Sequence, residues 1–186
     1  IAGLAFTEKT EVAFDRTSWL GGTGITINAA GIAQRLSEST VLAVSVMSMS
    51  FGEIDITTVE LPEGGIGTYK PSNTIVNVGF AHEFSNSIYG GINFKIINES
   101  IANVKGSGFA FDAGIRYVSG EKDQIKFGIT LKNVGPTMSM SGDGLSMSIL
   151  YPETGLAATT EQRSANFEMP SLLAIGGSYD FHINET

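Results

Sequence analysis

Few residues in this chain have the types and spacing that catalysis needs. Paired carboxylates can serve as general acid and base when a fold holds them together. Two candidate pairs exist, Glu53 with Asp55 and Asp143 with Glu153. Glu53 and Asp55 share one face of a strand, and Asp143 and Glu153 lie loosely within one loop, but solvated loop acids fit both pairs better than a catalytic pair.

The other reactive side chains are equally sparse. His82 and His182 lie far apart in the sequence, and His82 shares the parity of the apolar residues Val78 and Phe80. An interfacial histidine therefore fits His82 better than a metal ligand. The chain has no cysteine, which excludes disulfide scaffolds, thiol enzymes and zinc–thiolate sites. We expect a non-enzymatic protein with no catalytic residues, no metal and no cofactor.

Eight segments alternate between apolar and polar residues, the pattern that predicts β-strands. Phe94 and Phe111, for example, fall on one side of their strands, while Lys95 and Asp112 fall on the other. The predicted strands span residues 9–19, 23–35, 40–51, 73–84, 87–98, 107–118, 124–134 and 171–182. Helical periodicity is nearly absent. The chain, residues 1–186, is thus expected to form a single all-β, antiparallel domain.

Composition narrows the class further. Charged residues make up only 16% of the 186 residues and glycine contributes 23. No apolar run approaches the roughly 20 residues of a membrane helix. The net charge of −8 offers no basic stripe for phosphates, so nucleic acid is not an expected partner.

Two arrangements would suit strands of this kind. A soluble sandwich turns the apolar sides toward each other, whereas a transmembrane β-barrel turns them toward lipid. The polar sides carry few charges, and strands of ten or more residues suit a tilted membrane crossing. Aromatic residues near strand ends would form interfacial girdles: Trp19, Phe84, Tyr117, Tyr179 and Phe181. These features favour the barrel.

In a barrel, the polar sides of the strands face a lumen. Seven polar or charged residues of this parity form the predicted lumen-facing set: Asn93, Lys95, Asp112, Arg116, Lys126, Lys132 and Asp180. Lys95 and Asp112 belong to neighbouring strands and should form an ion pair, because an unpaired buried charge is costly.

The connections alternate in length for most of the chain. Short polar turns alternate with longer links at about 52–72, 99–106 and 135–170, which is typical of barrels with short periplasmic turns and long external loops. The short turn at 20–22 breaks this rule. The 52–70 link is expected to extend as a hairpin whose edge a partner strand could join. The predicted partner-contact residues of the external loops are Glu53, Asp55, Glu60, Met138, Met140 and Tyr151.

Several motifs, taken together in order and spacing, resemble one family. The chief stretch is FGEIDITTVELPEG at 51–64, followed by a proline-containing segment at 69–72. Further matches are YGGINFKII at 89–97, GFAFDAG at 108–114, LKNVGP at 131–136, MSG at 140–142 and the opening IAGLA at 1–5. Over nearly its whole length the chain resembles the PorV/PorQ family of Bacteroidetes-type outer-membrane proteins.

The resemblance implies a barrel of about fourteen strands related to the FadL-type fatty-acid transporters. It further implies that this chain is a fragment, lacking the family's N-terminal plug, its first strand and its last strands. The implied location is the bacterial outer membrane, in contact with its lipid. The implied function is docking or shuttling of cargo proteins in type IX secretion, with a large translocon barrel and the C-terminal domains of secreted cargo as partners.

Two alternatives stay open from the sequence. One is a FadL-like channel for hydrophobic small molecules, which requires an apolar lumen. The other is a secreted β-sandwich or adhesin module, which requires the apolar sides to pack against a second layer.

Overall fold

The computed structural model describes residues 1–151 and 155–181. These residues contain thirteen strands: β1 (Thr10–Trp19), β2 (Ile25–Arg35), β3 (Thr40–Ser50), β4 (Ile54–Asp55), β5 (Thr68–Tyr69), β6 (Ser72–Ser85), β7 (Ile88–Ile101), β8 (Val104–Ser119), β9 (Ile125–Val134), β10 (Met140–Ser141), β11 (Ser146–Tyr151), β12 (Leu156–Glu161) and β13 (Leu172–Tyr179). Two short 3₁₀ turns, Ala2–Phe6 and Asp143–Leu145, complete the secondary structure.

One antiparallel sheet forms most of the molecule. Its strands follow the order β1-β2-β3-β6-β7-β8-β9-β13, and β10 pairs with the beginning of β8. The eight long strands of this path match the eight predicted segments, so the all-β antiparallel prediction is confirmed. The long links hold the rest, a β4–β5 ladder and a β11–β12 hairpin.

The sheet is not closed. Among the described residues, β1 pairs only with β2, and β13 pairs only with β9. Closure into a barrel requires hydrogen bonds between the two outermost strands, and these strands have none. The predicted barrel is therefore an open sheet in this structure.

The connections define two ends of the sheet. At one end, the turns at 36–39, 86–87 and 120–124 are all short, and we call it the short-turn end. The other end carries the links at 51–71 and 135–171, and we call it the long-link end.

The predicted long link at 99–106 is wrong. β7 continues to Ile101 and β8 begins at Val104, so only two residues join them, with Ala102 at a φ of 50°. The strands continue here with polar residues, such as Asn98 and Ser107, at positions where apolar ones alternate elsewhere. The apolar alternation therefore stops before the strands do.

The two faces of the sheet differ in what covers them. The N-terminal segment, residues 1–7, packs on the face that carries Ala81, Asn93 and Asp112, which we call the covered face. The opposite face carries Val78, Phe94 and Phe111, and we call it the apolar face. No described element packs across the apolar face, and most of its large side chains are more than a third exposed.

An uninterrupted apolar band crosses all eight strands on the apolar face. It consists of Val12, Phe14, Ala30, Ile32, Leu42, Val44, Val46, Val76, Val78, Phe80, Ile92, Phe94, Ile96, Phe109, Phe111, Ala113, Ile115, Tyr117, Ile125, Phe127, Ile129, Leu131, Leu173 and Ile175. The band slants relative to the cross-strand rows. One cross-strand row shows this slant. It is polar on β1 and β2, where it contains Thr10 and Gln34, and it is apolar from Leu42 on β3 onward. Strands tilted against a horizontal band produce this offset.

Polar residues border the apolar band at the long-link end. They form two cross-strand rows, here called the polar rows. One row is Arg16, Asn28, Ser48, Thr74, Asn98 and Ser107; the next is Ser18, Thr26, Ser50, Ser72, Ser100, Lys105 and Ser141. Neither row contains a carboxylate. The first row contains one cation, Arg16, and the second row contains one cation, Lys105.

Aromatic rings border the band at the short-turn end. Phe84 lies against Gly90 and meets the His82 ring edge-on at 5.0 Å, while Tyr179 and Phe181 pack together at 4.7 Å. Tyr117 belongs to the same apolar face. Trp19, the remaining member of the predicted girdle, pairs with Ile25 on the opposite face at the long-link end, so it does not extend this border.

Candidate functional site

Asp112 is the centre of a polar network on the covered face. Its carboxylate lies 2.8 Å from Lys95 Nζ and accepts hydrogen bonds from Asn93 Nδ2 at 3.2 Å and from the Asn133 backbone N–H at 2.8 Å. The side chains of Asp112 and Lys95 are only 4% and 16% exposed. The ion pair expected from the sequence is therefore present, and it is compensated by further hydrogen bonds, as a buried charge requires.

A β-bulge brings Asn133 into this network. The register between β8 and β9 shifts between Phe111 and Ala113, and Asn133 takes a left-handed conformation with a φ of 59°. Asparagine tolerates this conformation better than most residues. The Asn133 side chain accepts a hydrogen bond from Lys95 Nζ at 2.8 Å and donates to the Pro170 carbonyl at 3.2 Å. The network thus ties β7, β8 and β9 to the point where the 135–171 link returns.

The N-terminal segment is seated on glycines of the covered face. A Cβ at Gly91 would lie 3.1 Å from the Ile1 carbonyl carbon, and one at Gly79 would lie 3.0 Å from the Leu4 side chain. The Phe6 ring packs on Tyr89 at 4.6 Å, with the Arg116 guanidinium 4.4 Å from its centre. Glycine leaves the room that this close approach requires.

Arg35 holds the same segment through its backbone. Its guanidinium donates to the carbonyls of Thr7 and Ala5, both at 2.6 Å, and to the Glu38 carbonyl in the turn after β2. The planar fork of arginine can satisfy three acceptors at once. Arg35 therefore links the N-terminal segment to the short-turn end of the sheet.

Replacing Arg35 with alanine should release the N-terminal segment. The amides of Leu4 and Thr7 donate to backbone carbonyls within the segment, and we expect their hydrogen exchange to accelerate at least about tenfold in Arg35→Ala, since each lost hydrogen bond contributes about 1 kcal/mol. Lysine keeps the charge but cannot replace the planar guanidinium, so the exchange rate in Arg35→Lys should lie between those of the parent and Arg35→Ala. Arg163→Ala, at an exposed arginine, is the matched control. Unchanged protection of Leu4 and Thr7 in Arg35→Ala would show that Arg35 does not hold the segment.

All seven predicted lumen-facing residues lie on the covered face, in four places. Asn93, Lys95 and Asp112 form the network, and Arg116 contacts the N-terminal segment. Lys126 pairs with Asp180 near the short-turn end, where both side chains are partly exposed. Lys132, next to Asn133, is exposed. Only the first group is brought together around one buried charge.

The covered face also carries an apolar cluster that strand parity alone did not predict. Neighbouring rows place Met47 beside Ile75 and Ile97, and Ile27 beside Met49, toward the long-link end. β2 and β3 have apolar residues on both faces of the strand, for example at Ala43 and Val44. This pattern is the sequence signal for an apolar cluster on the covered face as well as on the apolar face. The covered face is thus polar in its middle and apolar toward the long links.

The β4–β5 ladder and the connection between its two strands form a rim at the long-link end. Glu53 pairs with Lys70 at 2.6 Å, with both side chains exposed, and Asp55 lies in β4 opposite Thr68. Glu60 is exposed in the connection between the two strands. The predicted hairpin is present here only as two residue pairs.

The residues predicted in the 135–170 link have different environments. Met138 is only 2% exposed, because its backbone bridges to Phe167 and its side chain fills the space above Gly108. Its side chain is not available to a partner in this structure. Met140 lies in β10 against Gly106 and is partly buried. The Tyr151 backbone pairs with Leu156 in the β11–β12 hairpin.

The described residues contain little else that suggests chemistry. No group of three or more His, Cys, Asp or Glu side chains within 1–151 and 155–181 is placed to hold a metal ion. Thr40 Oγ1 lies 3.0 Å from His82 Nδ1, so the histidine takes part in a contact between β3 and β6. Glu153 and His182 lie outside the described residues. No helix in the described part of the chain is long and apolar enough to cross a membrane.

Comparison with known proteins adds no assignment. Neither protein-family models nor curated proteins match this chain.

Proposed function

We propose that this sheet spans the bacterial outer membrane as part of a β-barrel and docks exported proteins at its long-link end. The observation that carries the proposal is the apolar band. It crosses all eight long strands of the sheet without a charged residue, and nothing described covers it. An apolar surface of this size in contact with water would drive aggregation, whereas hydrocarbon is its favoured surrounding.

The borders of the band support the same conclusion. Polar rows lie along it at one end and aromatic rings at the other, as expected where a barrel passes through the membrane interfaces. Its slant against the strand rows fits the strand tilt of a barrel. A sandwich needs a second layer against Phe94 and Phe111, and no described element lies there.

The exposed edges of β1 and β13 require partners in a membrane. Unpaired backbone groups are not tolerated in hydrocarbon, so the proposed barrel includes strands that pair with both edges. This agrees with the larger strand number implied by the resemblance to the PorV/PorQ family. The covered face, with its buried Asp112–Lys95 pair, then lines the interior.

The rim at the long-link end is the proposed docking surface. Val59 is fully exposed, and Leu61 and Ile66 are about half exposed. At the base of the rim, Phe51, Ile54, Pro71 and Ile101 line a cavity of about 280 Å³. Exposed apolar side chains beside an apolar cavity are typical of protein interaction sites. We assign this rim to cargo docking in type IX secretion, with C-terminal domains of secreted proteins and a large translocon barrel as partners.

Charging the rim should abolish docking without removing the protein from the membrane. In a Val59→Asp, Leu61→Asp variant purified from envelopes in mild detergent, we expect co-purifying secreted cargo or translocon barrel to fall at least tenfold, because two buried charges would be left unpaired at the interface. Leu36→Asp, at an exposed leucine of the short-turn end, is the matched control and should retain the partners.

A second function, a channel for hydrophobic small molecules, is favoured by the apolar cluster of Met47, Ile75 and Ile97 on the covered face. The same purification separates the two functions. Secreted proteins that depend on Val59 and Leu61 support docking. Bound lipid or fatty acid alone, in equal amount in both variants, would contradict docking and favour the channel.

A further inference from the structure

The polar rows stand out against the charge of the whole chain. The protein has a net charge of −8, yet these two rows across six long strands contain Arg16 and Lys105 and no acid. The remaining members are serine, threonine and asparagine, which donate hydrogen bonds without adding charge. Such a surface complements an anion.

A cavity marks the strongest part of this surface. It has a volume of about 480 Å³ and lies over the ends of β6, β7 and β8 and the adjoining β10, where Lys105 meets Asn98 and a group of serine hydroxyls. No described acid forms an ion pair with Lys105. Glu99 lines the cavity, but it has the parity of the covered face, and its carboxylate accepts a hydrogen bond from Asn73 Nδ2 at 2.8 Å.

The cavity directly adjoins the apolar band. The row below Thr74, Asn98 and Ser107 is the apolar row of Val76, Ile96 and Phe109. A ligand whose anionic group binds Lys105 could therefore place its apolar groups on the exposed apolar band. That combination of an anionic head and apolar tails describes a membrane lipid. Arg16 lies five strand spacings from Lys105, about 24 Å away, so the two cations would contact different lipid molecules.

We propose that the cavity at Lys105 binds the phosphate headgroup of an outer-leaflet lipid, with the acyl chains lying on the apolar band. This inference rests on the proposed membrane location and adds a ligand class to it. Lys105 supplies the charge, and Asn98 and the neighbouring hydroxyls supply hydrogen bonds to phosphate or sugar oxygens. A cavity at the short-turn end, of about 470 Å³, also has cations in its lining, Lys9 and Arg35. It suits an anion less well, because Arg35 is bound to backbone carbonyls and two acids, Glu8 and Glu38, line the same cavity.

The proposal can be tested with vesicles of phosphatidylcholine that contain diphosphoryl lipid A. After the protein is inserted, extracted in mild detergent and purified, the lipid A retained per protein is measured by mass spectrometry. We expect Lys105→Ala to lower retention about tenfold or more, the size expected for one charge-assisted contact. Lys122→Ala, in the turn between β8 and β9, is the matched control and should match the parent.

The arms of this experiment separate the possible outcomes. Dephosphorylated lipid A should be retained no better by the parent than by Lys105→Ala, and inorganic phosphate at equal concentration should not displace lipid A. Equal retention of lipid A by parent and Lys105→Ala would overturn the inference, and displacement by inorganic phosphate would overturn the lipid assignment. Failure of the parent to insert into any vesicle would instead contradict the proposed function.

Discussion

Asp112→Ala is expected to lower the free energy of unfolding by about 3–5 kcal/mol, the usual cost of removing one partner from a buried ion pair. The loss is large because the Lys95 side chain, only 16% exposed, would lose its ion-pair partner. The Asn133 backbone N–H would also lose its acceptor at the β-bulge. Urea unfolding in detergent micelles, followed by circular dichroism, measures the difference.

Two comparisons identify the cause of that loss. Lys126→Ala breaks the partly exposed pair with Asp180, and should cost at most about 1 kcal/mol. The double variant Lys95→Met, Asp112→Leu leaves no unpaired charge and should be more stable than Asp112→Ala alone. Equal losses of unfolding free energy in Asp112→Ala and Lys126→Ala would show that the buried network does not stabilise the sheet more than an exposed ion pair does.

Phe111→Arg is expected to cost about 2–4 kcal/mol in a lipid bilayer, the penalty for a cation on the lipid-facing side near the membrane centre. Phe111 is 50% exposed in the structure. On a surface that faces water, arginine at such a position would be nearly neutral and would improve solubility. The sign and size of the effect therefore report what surrounds the apolar face.

The matched control for this change lies on the same face of the same strand. Ser107→Arg places the cation in the polar rows beside Lys105, and we expect a loss of less than about 1 kcal/mol there, as near a membrane interface. Refolding into phosphatidylcholine vesicles with a urea titration measures both variants. Equal stability of Phe111→Arg and the parent would contradict a lipid-facing band.

The long strands were predictable because residue parity alone sets the face of a strand. Phe94 and Lys95 are neighbours in sequence, and the structure places them on opposite faces. The same rule fails at residues 99–106. There the apolar face becomes polar, so the period-two signal ends while the backbone pairing of Ser100 with Lys105 continues.

The parts of the candidate site that the sequence did not predict depend on contacts between distant residues. The sequence from Leu131 to Val134 does not predict a bulge at Asn133. The bulge depends on the hydrogen bond from the Asn133 backbone N–H to Asp112, which lies on a different strand. Gly79 and Gly91 predict room for a neighbour, but only the folded chain shows that Leu4 and Ile1 fill it. The Lys95–Asp112 pair was accessible to prediction since both residues have the same parity on adjacent strands.

In the proposed orientation, the apolar face of the sheet meets lipid and the covered face lines an interior. Because the chain has no cysteine, single cysteines can be placed along β9 from Ile125 to Leu131 and spin-labelled in vesicles. We predict that labels at the odd-numbered positions, such as Ile129→Cys, are accessible to oxygen in the bilayer, and that labels at the even positions, such as Thr130→Cys, are shielded from it. Equal accessibility at both parities, or access of a water-soluble nickel complex to the odd positions, would contradict this orientation.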